Sequence, residues 1–541
     1  MVVRDELLLI FDLTSTLLRA GVGVHDLIRG PLIELPTRVG RMAGKPGTRT
    51  EDFLVGAQLA AAEAVTAAGG VQDFDIIDPI YVDRRTGVFQ VTDWNALEAV
   101  FRYAMHTSLQ LQRPPLAHPT VLAIPPNLSV ATMDQLHRLL FERLLVPQLL
   151  VSTRPFFASG AAGILSGIVV DIGYRGEGTE ISAVHENQLV ESASGFRLTD
   201  VDEGICDDYC AYRLLEADPS IERQLLEAKR AAANDPAVQF SRGEFANCVR
   251  RLVGELKING AISFESPLLG KDISQLLQLG IQQAAGEGEE GEEGTLDVAK
   301  AIVEGKVDEI VRGKGTKGGP DGQGDEDDRS VRVANPYAPA ASAADSSSSP
   351  HATIRIGPAR HRYLEPLFFP AVLSCLSPSS SSSNPALAKA LFGDEYERFS
   401  SPDAPSAGLH EAVGIVLSDV SEEEVRNAVS EAVVVVSSGR IANNRALGPA
   451  LIPLLSPFRS DPAAGVFDPD GASTPSSRTT RFARTPHYFS SFKERKGDWA
   501  VYLGACIMGK LLIGDTQSKL FMSKQDYAAH GPAHYRLLDA V

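Results

Sequence analysis

The chain has 541 residues and a formal charge of −18, from 51 Lys and Arg against 69 Asp and Glu; 44% of residues are hydrophobic and 22% charged. That is the composition of an ordinary folded protein, which excludes collagen-like, disulfide-scaffold and wholly disordered classes, and the length suits several domains or one large two-lobed unit. So acidic a chain repels polyphosphate at long range, which argues against direct DNA binding through a broad basic face. Five cysteines are too few for a disulfide framework. Cys206 and Cys210 share a helical spacing, Cys248, Cys375 and Cys506 stand alone, and all five are expected as buried thiols, with no metal site. No run of apolar residues is long enough to span a membrane. Residues 1–12 lack the apolar stretch and cleavage site of a signal peptide, so an intracellular protein is expected.

In chain order, residues 6–13 read as an apolar strand carrying Asp12 near its end. Asp93-Trp94-Asn95 opens a helix in which Asp93 accepts from orphan N–H groups, and Leu97, Val100, Phe101 and Ala104 form its buried stripe. Residues 121–124 are a short buried strand stopped by Pro125-Pro126, and 133–144 are helical. A strand follows over 167–171, then helices over 201–215 and 243–256. Ser421 and Glu424 predict a capping box for a helix with Val425, Ala428, Val429 and Ala432 on one face. The β-branched run 433–436 is a strand that ends in Ser437-Ser438-Gly439. Strand and helix alternate, which predicts α/β architecture.

Three stretches interrupt this pattern. Residues 285–350 open on an acidic, glycine-rich run, and 285–330 hold 14 acidic and 6 basic side chains, so most of the segment is expected to be disordered, with a helical island at 295–303. Residues 377–384 are a serine-rich loop and 459–486 a segment rich in Ser, Thr, Pro and Asp. Core-like segments resume after each, so all three read as insertions into one fold.

Two strand ends share a design: an apolar run, an aspartate, then small or hydroxyl residues. One is Phe11-Asp12-Leu13-Thr14-Ser15-Thr16, the other Val170-Asp171-Ile172-Gly173. A hairpin after such a strand can aim backbone N–H groups at phosphate while the aspartate reaches a hydrated cation. Alone, an aspartate at a strand end is more often a turn-former, but the pair raises the question of a duplicated nucleotide-binding fold.

On these residues and others the chain resembles the actin family over nearly all of its length outside the insertions. The carrying segments are Phe521-Met522-Ser523-Lys524-Gln525-Asp526-Tyr527 with Gly531-Pro532, Val501-Tyr502-Leu503-Gly504-Ala505-Cys506-Ile507-Met508, Thr92-Asp93-Trp94, Arg362-Tyr363 on to Pro370, Leu35-Pro36-Thr37-Arg38-Val39-Gly40-Arg41, and Asp52-Phe53-Leu54-Val55-Gly56. The resemblance implies two α/β lobes around a nucleotide cleft. Residues 1–165, completed by 490–541, would build one lobe. Residues 166–458 would build the other, holding the insertion 285–350 and the loop 377–384, with a further insertion at 459–486.

The phosphate loops depart from the family. Asp12, Ser15, Asp171, Gly173 and Gly439 keep pocket positions, but Thr14 and Thr16 replace the glycines that flank the serine. Tyr174 and Arg175 stand where the second loop has Asp and Gly, and two extra residues follow. The catalytic glutamine falls at Arg154 and the water-orienting histidine at Glu180. Arginine cannot position water as glutamine does. The expectation is therefore a degenerate ATP site, no enzyme activity and no required cofactor, with an ATP-dependent switch or weak ATPase as the alternative.

The acidic run leading into Gly294-Thr295-Leu296-Asp297-Val298-Ala299, and Pro486-His487-Tyr488-Phe489, resemble elements of the nuclear actin-related branch found in SWI/SNF- and RSC-type chromatin remodellers. That branch implies a nuclear location, a heterodimer with a second actin-related protein, further remodeller subunits as partners, and a grip on the helicase-SANT-associated helix of the remodelling ATPase. In actins an apolar groove takes partner helices; the matching positions are Gly160, Gly163, Gln188, Met508, Leu511 and Ile513. Met508 and Leu511, at i and i+3, could equally be core. A filament-associated protein and an INO-type remodeller remain as rival settings.

Overall fold

Alternation along the first strand sets the architecture. In β1 (Leu9–Leu13) every residue is buried, yet Leu9, Phe11 and Leu13 enter one core while Ile10, with Leu8 before it, enters another. A strand buried on both faces needs layers on both. The structure is a computed structural model that describes residues 5–24, 28–67, 71–83, 86–112, 117–271, 273–275, 277–278, 330–337, 353–376, 385–393, 396, 407–458, 480–486, 488–514 and 520–538. The acidic run 286–293, the helical island 295–303 and the loop 377–384 lie outside them.

By contact density the chain forms two compact units: residues 1–200 with 415–443 and 483–541, and residues 201–414 with 444–482. The expected lobes divide the chain elsewhere, at 165/166 and near 490. The first unit holds both main sheets. Their strands are β1, β2 (Leu17–Val22), β3 (Ile33–Pro36), β4 (Thr120–Ile124), β5 (Gln148–Thr153), β6 (Gly167–Ile172), β7 (Thr179–His185), β8 (Gln188–Leu189), β9 (Phe196–Leu198), β10 (Ala432–Ser437) and β11 (Met522–Ser523). The first sheet runs β11-β5-β4-β1-β2-β3; the second runs β8-β7-β6-β10, with β9 also on β7. The sheets repeat one motif. β1 pairs antiparallel with β2 and parallel with β4, as β6 pairs antiparallel with β7 and parallel with β10.

Two helices, Arg154–Ala162 and Ala500–Gly514, share one core with residues of both sheets, including Ile10, Val121, Val169 and Val434. Their approach is close: a Cβ on Gly504 would lie 1.7 Å from the Phe157 carbonyl oxygen, so only glycine fits there. The other face of the first sheet is covered by the helix Trp94–Arg102, and Leu97, Val100, Phe101 and Ala104 are all fully buried as expected. Asp93 caps it, its Oδ1 accepting from the N–H groups of Asn95 and Ala96 at 2.9 Å each.

In the second unit the helices Glu203–Ala217 and Arg242–Ile258 pack together. Lys257 is buried there between two carboxylates, its Nζ donating to Glu203 at 2.8 Å and Asp207 at 2.6 Å. Cys206, Cys210, Cys248 and Cys506 are buried thiols as expected; burial pushes the Cys506 thiol up to about 12.

Three expectations are corrected. Val331–Ala334 lies inside the expected insertion 285–350 but forms a strand pairing with Thr353–Ile356, because Val333, Ile354 and Ile356 are buried alternately with exposed Arg332 and Arg355. Arg481–Ala483 is likewise a strand within the expected insertion 459–486. The helix expected to start from Ser421 spans Glu423–Ser430, with Glu422 at its N-cap and no side-chain cap bond. The start is displaced by one residue, so Ser421 and Glu424 no longer stand at capping-box spacing.

Candidate functional site

Strand parity aims two carboxylates into one space. Asp12 has the parity of Ile10, and Asp171 that of Val169, and those two apolar residues share a core. Between the aspartates stands Arg154, the first residue of the helix Arg154–Ala162, which follows Thr153 of β5 directly. Its guanidinium pairs with Asp12 and with both oxygens of Asp171. A positive charge at a helix N-terminus is unfavourable by itself. Here burial also works against it, but the coulombic pull of Asp12 and Asp171 wins and holds the group charged, its pKa raised.

Across β2, Asp12 faces Arg19, which is buried, pairs with Asp12 at 3.2 Å and with Glu34 at 3.0 Å, and donates to the Ser438 carbonyl. The matching cross-strand partner of Asp171 is Glu180, which pairs with Arg197 of β9. Burial pushes the Glu180 carboxyl up to about 7; Arg197 opposes this and the nearby Asp171 charge adds to it.

The centre of the site is Glu177, on the turn between β6 and β7. The Ser15 hydroxyl donates to its Oε1 at 2.8 Å, the Thr16 N–H at 3.0 Å and the Thr16 hydroxyl at 3.2 Å. The Tyr174 N–H donates to Oε2 at 2.9 Å and the Ser438 hydroxyl at 2.6 Å. Three loops thus converge on one carboxylate. Burial alone would raise its pKa, but the hydrogen bonds from Ser438, Tyr174, Thr14 and Ser15 outweigh it and hold the group below the ordinary glutamate value. Gly173 makes this possible: a Cβ there would lie 2.3 Å from Glu177 Cβ. The turn is tight, with Arg175 at φ 44° and Gly176 and Gly178 also left-handed. The cavity left among Thr14, Ser15, Arg154, Asp171, Glu177 and Ser438 measures about 20 Å³, room for roughly one water.

The structure therefore brings Asp12, Ser15, Asp171, Gly173, Arg154 and Glu180 together. Gly439 does not line the cavity; its neighbour Ser438 does. Tyr174 contributes its backbone N–H, and its ring lies against the Arg175 guanidinium. Sequence reasoning missed Glu177, Arg19 and Arg197; it placed Ser438 only in the loop with Gly439, without a role of its own. The signal for Glu177 was the two-residue lengthening of the second hairpin, counted there as length.

Of the six groove positions, Gly160 and Met508 meet: a Cβ at 160 would lie 3.0 Å from Met508 Cγ. Gly163 ends its helix at φ 66° with open space around it. That helix also packs against β8, which carries Gln188. Met508 and Ile513 are half-buried against the core, whereas Leu511 is 62% exposed and so is not a core residue; exposed Leu165 lies two residues beyond Gly163.

Stability should follow Glu180. Its folded-state pKa lies above the usual 4.5, so the folded chain holds the extra proton and stability falls as pH rises from about 4.5 through about 7. Glu180→Gln is expected to flatten that slope relative to the wild type. Thermal melting of both proteins across this pH range checks it, because other titrations cancel in the comparison.

A family model and three relatives bear on the site. The family model described as Actin matches residues 5–199. Over 221 residues the chain is 24% identical to "SWI/SNF and RSC complexes subunit arp9" of Schizosaccharomyces pombe, covering 35% of this chain and 42% of that protein. It is 32% identical over 103 residues to "Actin-related protein 4" of Arabidopsis thaliana, covering 19% and 22% respectively, and 28% identical over 165 residues to "Centractin" of S. pombe, covering 30% and 39%. The chain thus matches less than half the length of each of these relatives.

Proposed function

We propose that this chain, whose residues 5–199 match the Actin family model, is a non-catalytic, actin-related structural subunit of a chromatin-remodelling complex of SWI/SNF or RSC type. In this reading it works in the nucleus as a heterodimer with a second actin-related protein. The two clasp the helicase-SANT-associated helix of the remodelling ATPase and couple it to other subunits. The remodeller setting is supported by the similarity to the S. pombe SWI/SNF and RSC subunit.

The observation that carries the non-catalytic part is Arg154. At the position expected for a water-positioning glutamine stands a buried cation, tied to Asp12 and Asp171. Its three nitrogens each donate to one of these carboxylates, and it has no acceptor to offer a water. Glu180, at the expected histidine position, is tied to Arg197.

The helix-binding part is supported by the surface beside Gly160 and Gly163. Gly163 leaves open space for a backbone, Met508 packs over Gly160 and supplies an adaptable side chain, and Leu511 is an exposed apolar group. Leu511→Asp is expected to weaken binding of a helicase-SANT-associated peptide at least about tenfold, as loss of one central apolar contact does, and to leave the melting temperature unchanged. Fluorescence anisotropy with the labelled peptide reads the first and thermal melting the second. Equal affinity for variant and wild type would remove this surface from the account.

A further inference from the structure

The nucleotide phosphate and divalent cation that an actin family domain implies do not fit the residues present here. The donors that would cradle a phosphate already meet a carboxylate. The aspartates that would face a cation already hold a guanidinium.

We infer that the chain carries its own substitutes for both: the Glu177 carboxylate occupies the phosphate's place and the Arg154 guanidinium the cation's. This deepens the non-catalytic reading above and rests on it.

Four observations carry the inference. First, the partners of Glu177 are those of an anion cradle, two backbone N–H groups and three hydroxyls from three separate loops. A surface glutamate making a local turn would not collect donors from residues 15, 16, 174 and 438. Second, the cradle is shaped for this side chain, since any residue larger than glycine at 173 would collide with the Glu177 stem. Third, Arg154 bridges Asp12 and Asp171, the matching aspartates of the two repeated strand motifs. A single guanidinium with five donors satisfies both. Fourth, the remaining cavity of about 20 Å³ takes roughly one water, far less than a triphosphate needs.

The physical consequence is that the three loops are cross-linked with no ligand. In a ligand-dependent pocket, emptying the site leaves like charges facing one another and donors unpaired. Here the opposite charges are built into the chain and cannot dissociate. The site is permanently filled and cannot act as a nucleotide switch.

The test uses the purified full-length chain. Titration calorimetry with Mg-ATP is expected to give no saturable heat for the wild type, and inorganic phosphate is expected to leave its melting temperature unchanged. Glu177→Ala exposes the five donors. It is expected to melt at a lower temperature and to regain stability as inorganic phosphate is added. Glu177→Gln keeps the size but not the charge; it is expected to melt below the wild type and, because its side chain leaves no room for phosphate, to gain nothing from added phosphate, which covers the case in which the alanine variant fails to fold. Saturable Mg-ATP binding by the wild type overturns the inference. So does wild-type stability in both variants with indifference of the alanine variant to phosphate. If neither variant folds, the wild-type titration decides alone. None of these results bears on which proteins the chain assembles with, so failure here and failure of the remodeller assignment are separable.

Discussion

Arg154→Leu should lower the free energy of unfolding by about 3–5 kcal/mol, the usual cost of removing one partner from a buried ion pair. The substitution keeps much of the apolar stem and removes only the charge. Asp12, fully buried, then keeps Arg19, and Asp171 loses the guanidinium it pairs with. Two carboxylates are left facing the same space. Urea unfolding followed by circular dichroism measures the loss. Two further readouts separate this cause from general damage. Lowering the pH should narrow the gap to the wild type, because protonation relieves the unpaired carboxylates. Added Mg²⁺ should stabilise the variant and not the wild type, because a cation can then take the vacated place. A variant as stable as the wild type would mean that the pair is not what holds these strand ends together.

Lys257→Leu is expected to cost a similar amount, about 3–5 kcal/mol, in the other compact unit. Its ammonium is held charged against burial by Glu203 and Asp207, both buried, and the Tyr363 hydroxyl donates to Asp207 at 3.1 Å. Asp207 is already pushed up to about 6, burial outweighing the pull of Lys257. Without the lysine the Asp207 carboxyl should titrate higher still. The variant should therefore recover stability as the pH is lowered toward 5, which a chemical unfolding series at several pH values would display. Loss of stability with no such recovery would point to packing of the lysine stem instead.

What the sequence made legible, and what it did not, divides by the range of the interaction. Arg154 could be singled out because the resemblance to actins puts the catalytic glutamine at its position, and Asp12 and Asp171 because each sits at the end of an apolar strand run, a local property. The stripe of the helix Trp94–Arg102 and its Asp93 cap were readable for the same reason. Glu177 was not, because its partners are residues 15, 16, 174 and 438, most of them far away in sequence. Arg19 was hidden likewise, since its role depends on the β1–β2 register and on a carbonyl at residue 438. At Ser421 the helix start was displaced by one residue, the scale on which turn geometry decides and composition does not. The expected insertions were drawn too wide at 330–337, where a short alternating run pairs with Thr353–Ile356, and at 480–486, where Arg481–Ala483 forms a strand.

The account as a whole rests on the chain working as a scaffold for another protein's helix. Affinity purification of the tagged full-length chain from nuclear extract, with mass spectrometry of what accompanies it, tests this most directly. A remodelling ATPase bearing a helicase-SANT-associated segment, in near-equal amount with a second actin-related protein, is the expected result. Recovery of filament components with no remodelling ATPase would contradict it.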